Sequence, residues 1–403
     1  MRLAGGRLIS PMWLAAYAFT VVMLGTTLPT PLYPHYEQRY GFSALTITVI
    51  FAVYAFGVIA ALLFLGGLSD QLGRRPALLA GLALSAASAV AFLLAGGLGA
   101  LLAGRALSGL SAGIFTGTGT ATLVDLAPPG RRAFATGVAT AVNLGGLGCG
   151  PLLAGVLAAV AAAPLRLPFW VDLGLLAPAF AAVIGMPETV RRSGRSLPRM
   201  QRLRVPAQLR GTFTRAAAAG FASFTMSGLF GAVAPIFLAT LLHLPSPALS
   251  GVTVFLLFAS SAAGQLVVTR IPARVGLSAG CTGVITGAGL VAAALTLESL
   301  ALLIAGAIVA GLGQGLSVGA GLAAINAEAP ADRRAEVASS FFVVLYVGLS
   351  IPIIGTGLAS QVIGLRASAL IFSGFVAALA AACLISLLAR RPTGSSRPGD
   401  GAQ

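Results

Sequence analysis

Long apolar stretches, separated by short polar or charged connections, follow one another along the entire chain. About 20 apolar residues are enough for a helix to cross the roughly 30 Å hydrocarbon core of a bilayer, so each stretch predicts one membrane-spanning helix. Two divisions rest on short breaks, the glycines at 96–100 and the single acidic Glu298. The twelve predicted spans are residues 11–34, 43–66, 76–96, 98–124, 133–160, 168–186, 214–242, 248–269, 277–297, 299–325, 337–360 and 367–389.

The charged positions between these stretches predict the orientation of the chain, because basic residues are retained on the cytoplasmic side of a membrane. Of the 25 basic residues, Arg39, Arg166 and Arg366 fall in predicted external loops and Arg105 falls within a span. With an even number of spans, the others collect at one face, which also holds both termini. An odd number would put arginine-rich segments on both sides, so the charge distribution favours twelve spans with both termini cytoplasmic.

The composition supports a membrane protein and excludes other classes. Hydrophobic residues make up 57% of the chain, charged residues 9%, and the mean hydropathy is +0.96, whereas the surface of a soluble domain is about a quarter charged or more. The net charge of +15 does not indicate nucleic-acid binding, because the arginines lie between apolar runs and form no basic face. Cys149, Cys281 and Cys383 lie inside apolar stretches and indicate no disulfide framework.

Similar sequences recur at one constant spacing in the two halves of the chain. The pattern A-P-x-x-R-R-A at 127–133 recurs at 329–335. The glycines that recur at the same spacing in spans 4 and 10 are Gly109, Gly113 and Gly117, matched by Gly311, Gly315 and Gly319. This repeat predicts an all-α integral membrane protein with two pseudo-symmetric six-helix bundles, an architecture suited to alternating access.

The domain boundaries follow from the longest polar connection. Residues 1–190 are predicted to form the N-terminal bundle and residues 214–391 the C-terminal bundle. An arginine-rich cytoplasmic linker at 191–213 joins them, and a disordered cytoplasmic tail at 392–403 follows.

The connection at 66–78, GGLSDQLGRRPAL, is unusually charged for this chain. It resembles the loop pattern G-x-L-A-D-R-x-G-R-K-x-x-L of the major facilitator superfamily, with Arg75 for the usual Lys and Gln71 for the usual Arg. The resemblance implies the major facilitator fold of twelve helices and a cytoplasmic contact between the halves that favours the outward-open state. The residues it assigns to gating are Gly66, Asp70, Gly73, Arg74 and Arg75.

Asp70 distinguishes a gate from an ordinary charged hairpin. It lies one turn from Arg74, with which it can pair, and it can also face the positive N-terminus of another helix. By analogy with the family, that helix is span 11, beginning near Ala335. The corresponding loop of the second half, 269–276, keeps basic residues but has no Asp. Orientation therefore needs only the arginines, and the gating hypothesis depends on Asp70.

Two further motifs carry the same resemblance. The sequence LLAGRALSGLSAG at 101–113 resembles L-x-x-x-R-x-x-Q-G-x-G-A-A, with Ser108 in place of Gln. The sequence GLGCGPLLAG at 146–155 resembles G-x-x-x-G-P-x-x-G-G, with Ala154 for one Gly. The second motif is characteristic of the antiporter branch and implies drug or metabolite efflux. By analogy it lies at the interface between the halves, and its residues are Gly146, Gly150, Pro151 and Gly155.

Arg105 and Asp172 are the candidate proton-coupling residues. An arginine at mid-membrane costs about 2.5–3.5 kcal/mol, so Arg105 is expected to face the bundle interior or a wet cavity, the alternative being that it snorkels to the outer interface. There it would attract anionic substrate groups or control a nearby acid. Asp172 is the candidate acid, because burial raises a carboxyl pKa and a nearby Arg lowers it. An interfacial Asp after Trp170 is the alternative.

Candidate substrate-binding residues are the polar and aromatic side chains of the spans that would enclose a central site. Polar groups in lipid need partners and so are expected to point inward, and aromatic residues with Met suit bulky apolar ligands. Packing is the alternative for each of them. The candidates are Thr26, Thr27, Tyr33, Tyr54, Asn143, Met226, Phe230, Gln265, Gln314 and Tyr346.

These patterns favour a secondary active transporter of the bacterial inner membrane that exports a small organic compound, a drug or metabolite, in exchange for protons. A sugar or metabolite porter, working by symport or uniport, is the alternative of the same fold. An enzyme, a metal site or an ATP-binding site has no matching motif, and a non-transporting sensor is less favoured because the gating motifs are retained. We expect a monomer in the lipid bilayer, without cofactors and driven by the proton gradient.

Overall fold

The computed structural model describes residues 10–65, 68–190, 203–330 and 333–389, without the side chains of Leu68 and Asp70. Within these ranges it is all-helical and has twelve helices long and apolar enough to cross a membrane, which confirms the predicted fold class. They are α1 (Pro11–Tyr40), α2 (Ala44–Phe64), α3 (Arg74–Leu93), α4 (Leu98–Asp125), α5 (Arg132–Val160), α6 (Leu167–Ile184), α7 (Ala207–Thr240), α8 (Pro247–Val268), α9 (Ala273–Leu297), α10 (Leu300–Glu328), α11 (Arg334–Ile363) and α12 (Leu365–Leu388).

The helices alternate in direction, so the connections collect at two faces. We call the face with the long inter-bundle connection 185–206 the linker face, and the opposite one the far face. At the far face, three serine hydroxyls accept a backbone N–H of the helix that follows and cap its N-terminus. The caps are Ser43 on α2, Ser246 on α8 and Ser299 on α10.

Two predicted boundaries differ because the helix continues through polar residues. The first span was predicted to end at residue 34, whereas α1 runs to Tyr40 and stops at Gly41, whose φ of 67° is left-handed. The seventh span was predicted to start at residue 214, whereas α7 starts at Ala207. Both helices contain an irregular stretch beside a proline, Thr30–Leu32 in α1 and Leu229–Val233 in α7.

Helices α1–α6 and α7–α12 form two bundles, and two helix pairs make most of the contact between them. Helix α5 packs against α8, and α2 packs against α11. The predicted turn at Glu298 is present as well, since this residue has a left-handed φ of 50° between α9 and α10. Large apolar side chains remain exposed on the outer surface, among them Val160 and Leu297, as expected for a surface that contacts lipid.

Candidate functional site

A cavity of about 240 Å³ lies between the two bundles. Its walls come from α1, α2, α4 and α5 of the first bundle and from α7, α8, α10 and α11 of the second. It extends from Thr30 and Arg105, near the far face, to Thr136 and Leu322, near the linker face. A space enclosed by both bundles is suited to alternating access, because relative movement of the bundles changes its opening.

Six of the ten predicted substrate-binding residues lie on the wall of this cavity: Thr27, Tyr54, Asn143, Gln265, Gln314 and Tyr346. Their contact with substrate remains a prediction. Tyr54 and Tyr346 meet across the two bundles, with ring centroids 6.2 Å apart in an edge-to-face arrangement.

The other four predicted residues do not line the cavity. Thr26, Tyr33, Met226 and Phe230 are at most 1% exposed and are packed between helices. Thr26 bonds its hydroxyl to the carbonyl of Val22 within its own helix. The residue type indicated correctly that these side chains point inward, but it could not distinguish a cavity wall from a helix interface.

The structure adds polar and aromatic wall residues that the sequence analysis missed. Thr116 and Thr120 of α4, and Thr136 and Thr140 of α5, are spaced four residues apart, so each pair lies on one side of its helix. This spacing of hydroxyls within apolar helices is a signal that could have found them. The aromatic wall residues missed are Phe51, Phe224, Phe258 and Phe342.

Arg105 is 1% exposed and points into the first bundle rather than to the far interface. Its Nη1 donates to the carbonyl of Thr26 at 2.7 Å. Its guanidinium carbon lies 4.7 Å from the ring centroid of Tyr54 and 5.6 Å from that of Phe51. Its Nε has no hydrogen-bond partner. Arg105 is therefore a buried charge held by one carbonyl and two aromatic faces.

Asp172 is buried between α6 and α1 and is 2% exposed. A Cβ atom on Gly25 would lie 2.8 Å from its Oδ2, so only glycine leaves room for the carboxyl group. Its Oδ1 has no hydrogen-bond partner. The alternative of a solvated interfacial carboxylate does not fit this burial.

The predicted pairing of Arg105 with Asp172 is wrong for this conformation. Within the described residues no ion pair joins them within 4.0 Å. Arg105 approaches α1 at Thr26 and Asp172 approaches it at Gly25. The two charged groups therefore contact neighbouring residues of α1 without bonding to each other. The role of each in proton coupling remains a prediction.

The cavity is closed towards the far face where α5 packs on α8. A Cβ atom on Gly155 would overlap the carbonyl oxygen of Pro247, and one on Gly251 would overlap the carbonyl oxygen of Pro151. The contact is reciprocal, because each helix carries a proline followed four residues later by a glycine. At the same face, Gln361 of α11 donates to the Ser43 hydroxyl of α2 at 3.4 Å.

The residues of the predicted interface motif on α5 contact two different helices. Gly155 and Pro151 face α8 of the other bundle, as expected. Gly146 and Gly150 instead pack on α1 of their own bundle, where added Cβ atoms would overlap backbone oxygens, so assigning them to the interface is wrong. The reason is helical spacing, since residues 146 and 150 share one side of α5 and residues 151 and 155 share another.

The charged connection at the linker face is held within the first bundle. Gly66 and the side chain of Asp70 lie outside the described part of the structure. The gating contact predicted for Asp70 therefore stays a prediction. Arg74 bonds through Nε to Asp125 at 3.1 Å and through Nη1 to Ser69 at 2.7 Å.

A carboxylate that the sequence analysis did not single out caps α3. Glu188 accepts the backbone N–H groups of Arg74 and Arg75 at 2.8 and 3.1 Å. Its approach needs Gly73, which has a left-handed φ of 104° and no room for a side chain. Partial burial raises the pKa of Glu188, whereas the hydrogen bonds from backbone N–H groups lower it. The hydrogen bonds have the larger effect together, so the pKa lies below its ordinary value.

We expect Glu188→Gln to lower the melting temperature at neutral pH by about 1–4 °C, the range for a lost helix cap. A carboxyl whose pKa is lowered by folding stabilises fully above its unfolded pKa, and this contribution is lost as the pH falls through the lowered value. Thermal unfolding in detergent, measured from neutral to acidic pH, should therefore show the difference shrinking in acid. Glu336→Gln removes a partly exposed carboxylate from the same face and is the control; an equal effect there would contradict the capping role.

The chain is similar to known transporters in sequence and in structure. The sequence profile described as Major Facilitator Superfamily matches residues 15–351. No curated protein matches the chain in sequence. A bacterial homologue of the human lysosomal transporter Spinster, inward-facing and unoccupied, matches in structure with a TM-score of 0.72 and 16% identity, over 94% of this chain and 96% of that one.

Two other solved structures match over similar lengths. The human organic anion transporter MFSD10 (TETRAN) has a TM-score of 0.65 and 18% identity, covering 93% of this chain and 98% of that one. A POT family transporter in complex with a thioalcohol-conjugated peptide has a TM-score of 0.76 and 11% identity, covering 93% and 95%. At these identities the matches establish the fold alone.

Proposed function

Since the chain belongs to the Major Facilitator Superfamily, we propose that it is a secondary transporter that exports a small organic compound in exchange for protons. The observation that carries this proposal is the cavity between the bundles, with walls from eight helices. Its aromatic, hydroxyl and amide side chains suit a compound with an apolar body and a few polar groups. Membership of a family of transporters, not enzymes, supports transport itself. The direction of transport and its coupling to protons are what we propose.

The arginine distribution supports placing the linker face and both termini in the cytoplasm of a bacterial cell. The conformation is then inward-facing, with the cavity reached from the cytoplasm and closed at the far face. Export would require the contact of Gly155 with Pro247 to separate while the linker face closes. Asp70 and the arginines of its loop would stabilise that closed linker face.

Coupling is proposed to involve Asp172. It is the buried carboxylate of the described helices, and it lies against Gly25 of α1. A charged carboxylate buried without partners is costly, so a change in access to water would change its protonation. Helix α1 also places Thr27 and Thr30 on the cavity wall. Protonation could thereby alter the packing of the helix that contacts substrate, while Arg105 holds the same helix through the carbonyl of Thr26.

We expect Asp172→Asn to reduce proton release at least tenfold when a panel of aromatic acids, amides and amines is added to acidified everted vesicles. The amide keeps the shape of the side chain but cannot exchange a proton at neutral pH. A pH-sensitive dye in the lumen measures the release, and labelled-compound uptake measures transport. Glu37→Gln, which removes a half-buried carboxylate from the far-face end of α1, is the matched control.

Unchanged proton release in Asp172→Asn would remove this residue from coupling. Uptake without any proton movement in the wild-type protein would favour the alternative of a metabolite uniporter and contradict exchange.

A further inference from the structure

The charge of the cavity wall decides between classes of substrate. The wall residues of the described chain are apolar, aromatic, hydroxyl or amide side chains, with one exception, Arg105. No Asp or Glu is among them. A cavity with a fixed positive charge and no fixed negative charge attracts anions and repels cations, and it does so strongly because buried charges are weakly screened.

The contacts of Arg105 leave its charge without a counter-ion among the described residues. The groups that hold it are the carbonyl of Thr26 and the rings of Tyr54 and Phe51, all of them uncharged. Asp172, the buried carboxylate of the described helices, forms no ion pair with it within 4.0 Å. A buried guanidinium is normally paired with a carboxylate. Among the described residues only uncharged groups surround Arg105, so an anion that binds beside it is favoured.

The opposite wall offers hydrogen-bonding groups that have no partner among the described residues. The hydroxyls of Ser227 and Ser261 and the amide oxygen of Gln314 are buried and unpaired. All three residues line the cavity, on α7, α8 and α10. Buried polar atoms are normally bonded, and unpaired ones on a cavity wall indicate a ligand or water that bonds them. The two hydroxyls can donate to an oxyanion, as a guanidinium does.

We propose that the transported compound is an organic anion, with a carboxylate or comparable acidic group on a flat apolar body. The acidic group lies towards Arg105 and the serine hydroxyls. The apolar body packs against the aromatic wall residues Phe224, Phe258 and Phe342. This inference rests on the proposed transport function in one respect, namely that the transported compound binds in the cavity.

The test uses naphthoate, naphthamide and naphthylmethylamine, which share one ring system and differ in charge. Thermal unfolding of the purified protein in detergent, titrated with each probe, gives their relative affinities. Naphthoate should bind at least tenfold more tightly than the amide, and the amine should bind most weakly. Arg105→Gln should weaken naphthoate binding at least tenfold more than it weakens naphthamide binding, while Arg105→Lys should keep part of the preference for the acid.

Arg39→Gln is the control for a general loss of positive charge, since Arg39 is exposed at the far-face end of α1. Amide or amine binding as tight as that of the acid, or no binding by naphthoate, would overturn the proposal. The comparison of probes on wild-type protein decides the question even if Arg105→Gln does not fold. The binding measurement needs no proton gradient. A protein that binds acids and amides equally can therefore be distinguished from one that fails to exchange protons.

Discussion

Alanine at Gly155 or at Gly251 is expected to reduce export at least tenfold, with nearly equal effects at the two positions. Each added Cβ would overlap a backbone carbonyl, of Pro247 or Pro151, which cannot rotate away as a side chain can. Overpacking a close contact costs about 1–3 kcal/mol, and about 1.4 kcal/mol changes an equilibrium tenfold. The contact forms when the far face is closed. The substitution therefore destabilises this conformation and should shift the protein towards the conformation that is open at the far face.

The shift can be measured through Thr30, a cavity-wall residue near the far face that is 1% exposed. A single cysteine at this position, with the three native cysteines replaced, would react slowly with a membrane-impermeant maleimide added from the far side. Gly155→Ala and Gly251→Ala should each raise the reaction rate about tenfold, in parallel with the loss of export.

Gly145→Ala provides the matched control on the same helix. A Cβ atom at Gly145 would meet no atom within 4 Å, so this substitution adds the same methyl group without a clash. If it lowered export as much as Gly155→Ala, the loss would reflect helix propensity or insertion rather than the contact. Unequal effects at Gly155 and Gly251 would contradict the reciprocal nature of the contact.

The number and order of the helices were predictable because hydrophobic length and arginine placement act locally. Each apolar run must satisfy its backbone within a helix, and weak breaks such as that at Glu298 still suffice to turn the chain. The irregular stretches of α1 and α7 each lie at or shortly before a proline, Pro31 or Pro235, whereas the one in α4, Phe115–Gly119, has no proline to announce it.

The site was less predictable because one sequence does not say which side of a helix meets which neighbour. Gly146 and Gly155 belong to one motif, yet one packs on α1 and the other on α8. Met226 and Phe230 are as suited to a ligand as Phe224, but only Phe224 reaches the cavity. The proline–glycine spacing shared by α5 and α8 was visible in the sequence, but its meaning required knowing that these helices meet.

A cross-link between Ser43 and Gln361 is expected to abolish export completely and reversibly. These side chains join the far-face ends of α2 and α11, with Gln361 Nε2 3.4 Å from Ser43 Oγ. Cysteines at both positions lie within reach of a short bifunctional thiosulfonate in the inward-facing state. Alternating access requires the far-face ends to separate in each cycle, so a covalent bond there stops the cycle. Reducing the cross-link should restore export in everted vesicles.

The locked protein also separates binding from transport. The cross-link lies at the far face, away from the linker-face end of the cavity, so naphthoate should still raise its melting temperature while export is absent. Each single-cysteine variant, treated with the same reagent, should export normally and serves as the control. Export that continued through the cross-linked pair would mean that the far-face ends of α2 and α11 need not separate, and the rocking of one bundle against the other would then be the wrong description of this transporter. Binding that disappeared with the cross-link would instead show that the compound enters from the far face, which would contradict export from the cytoplasm.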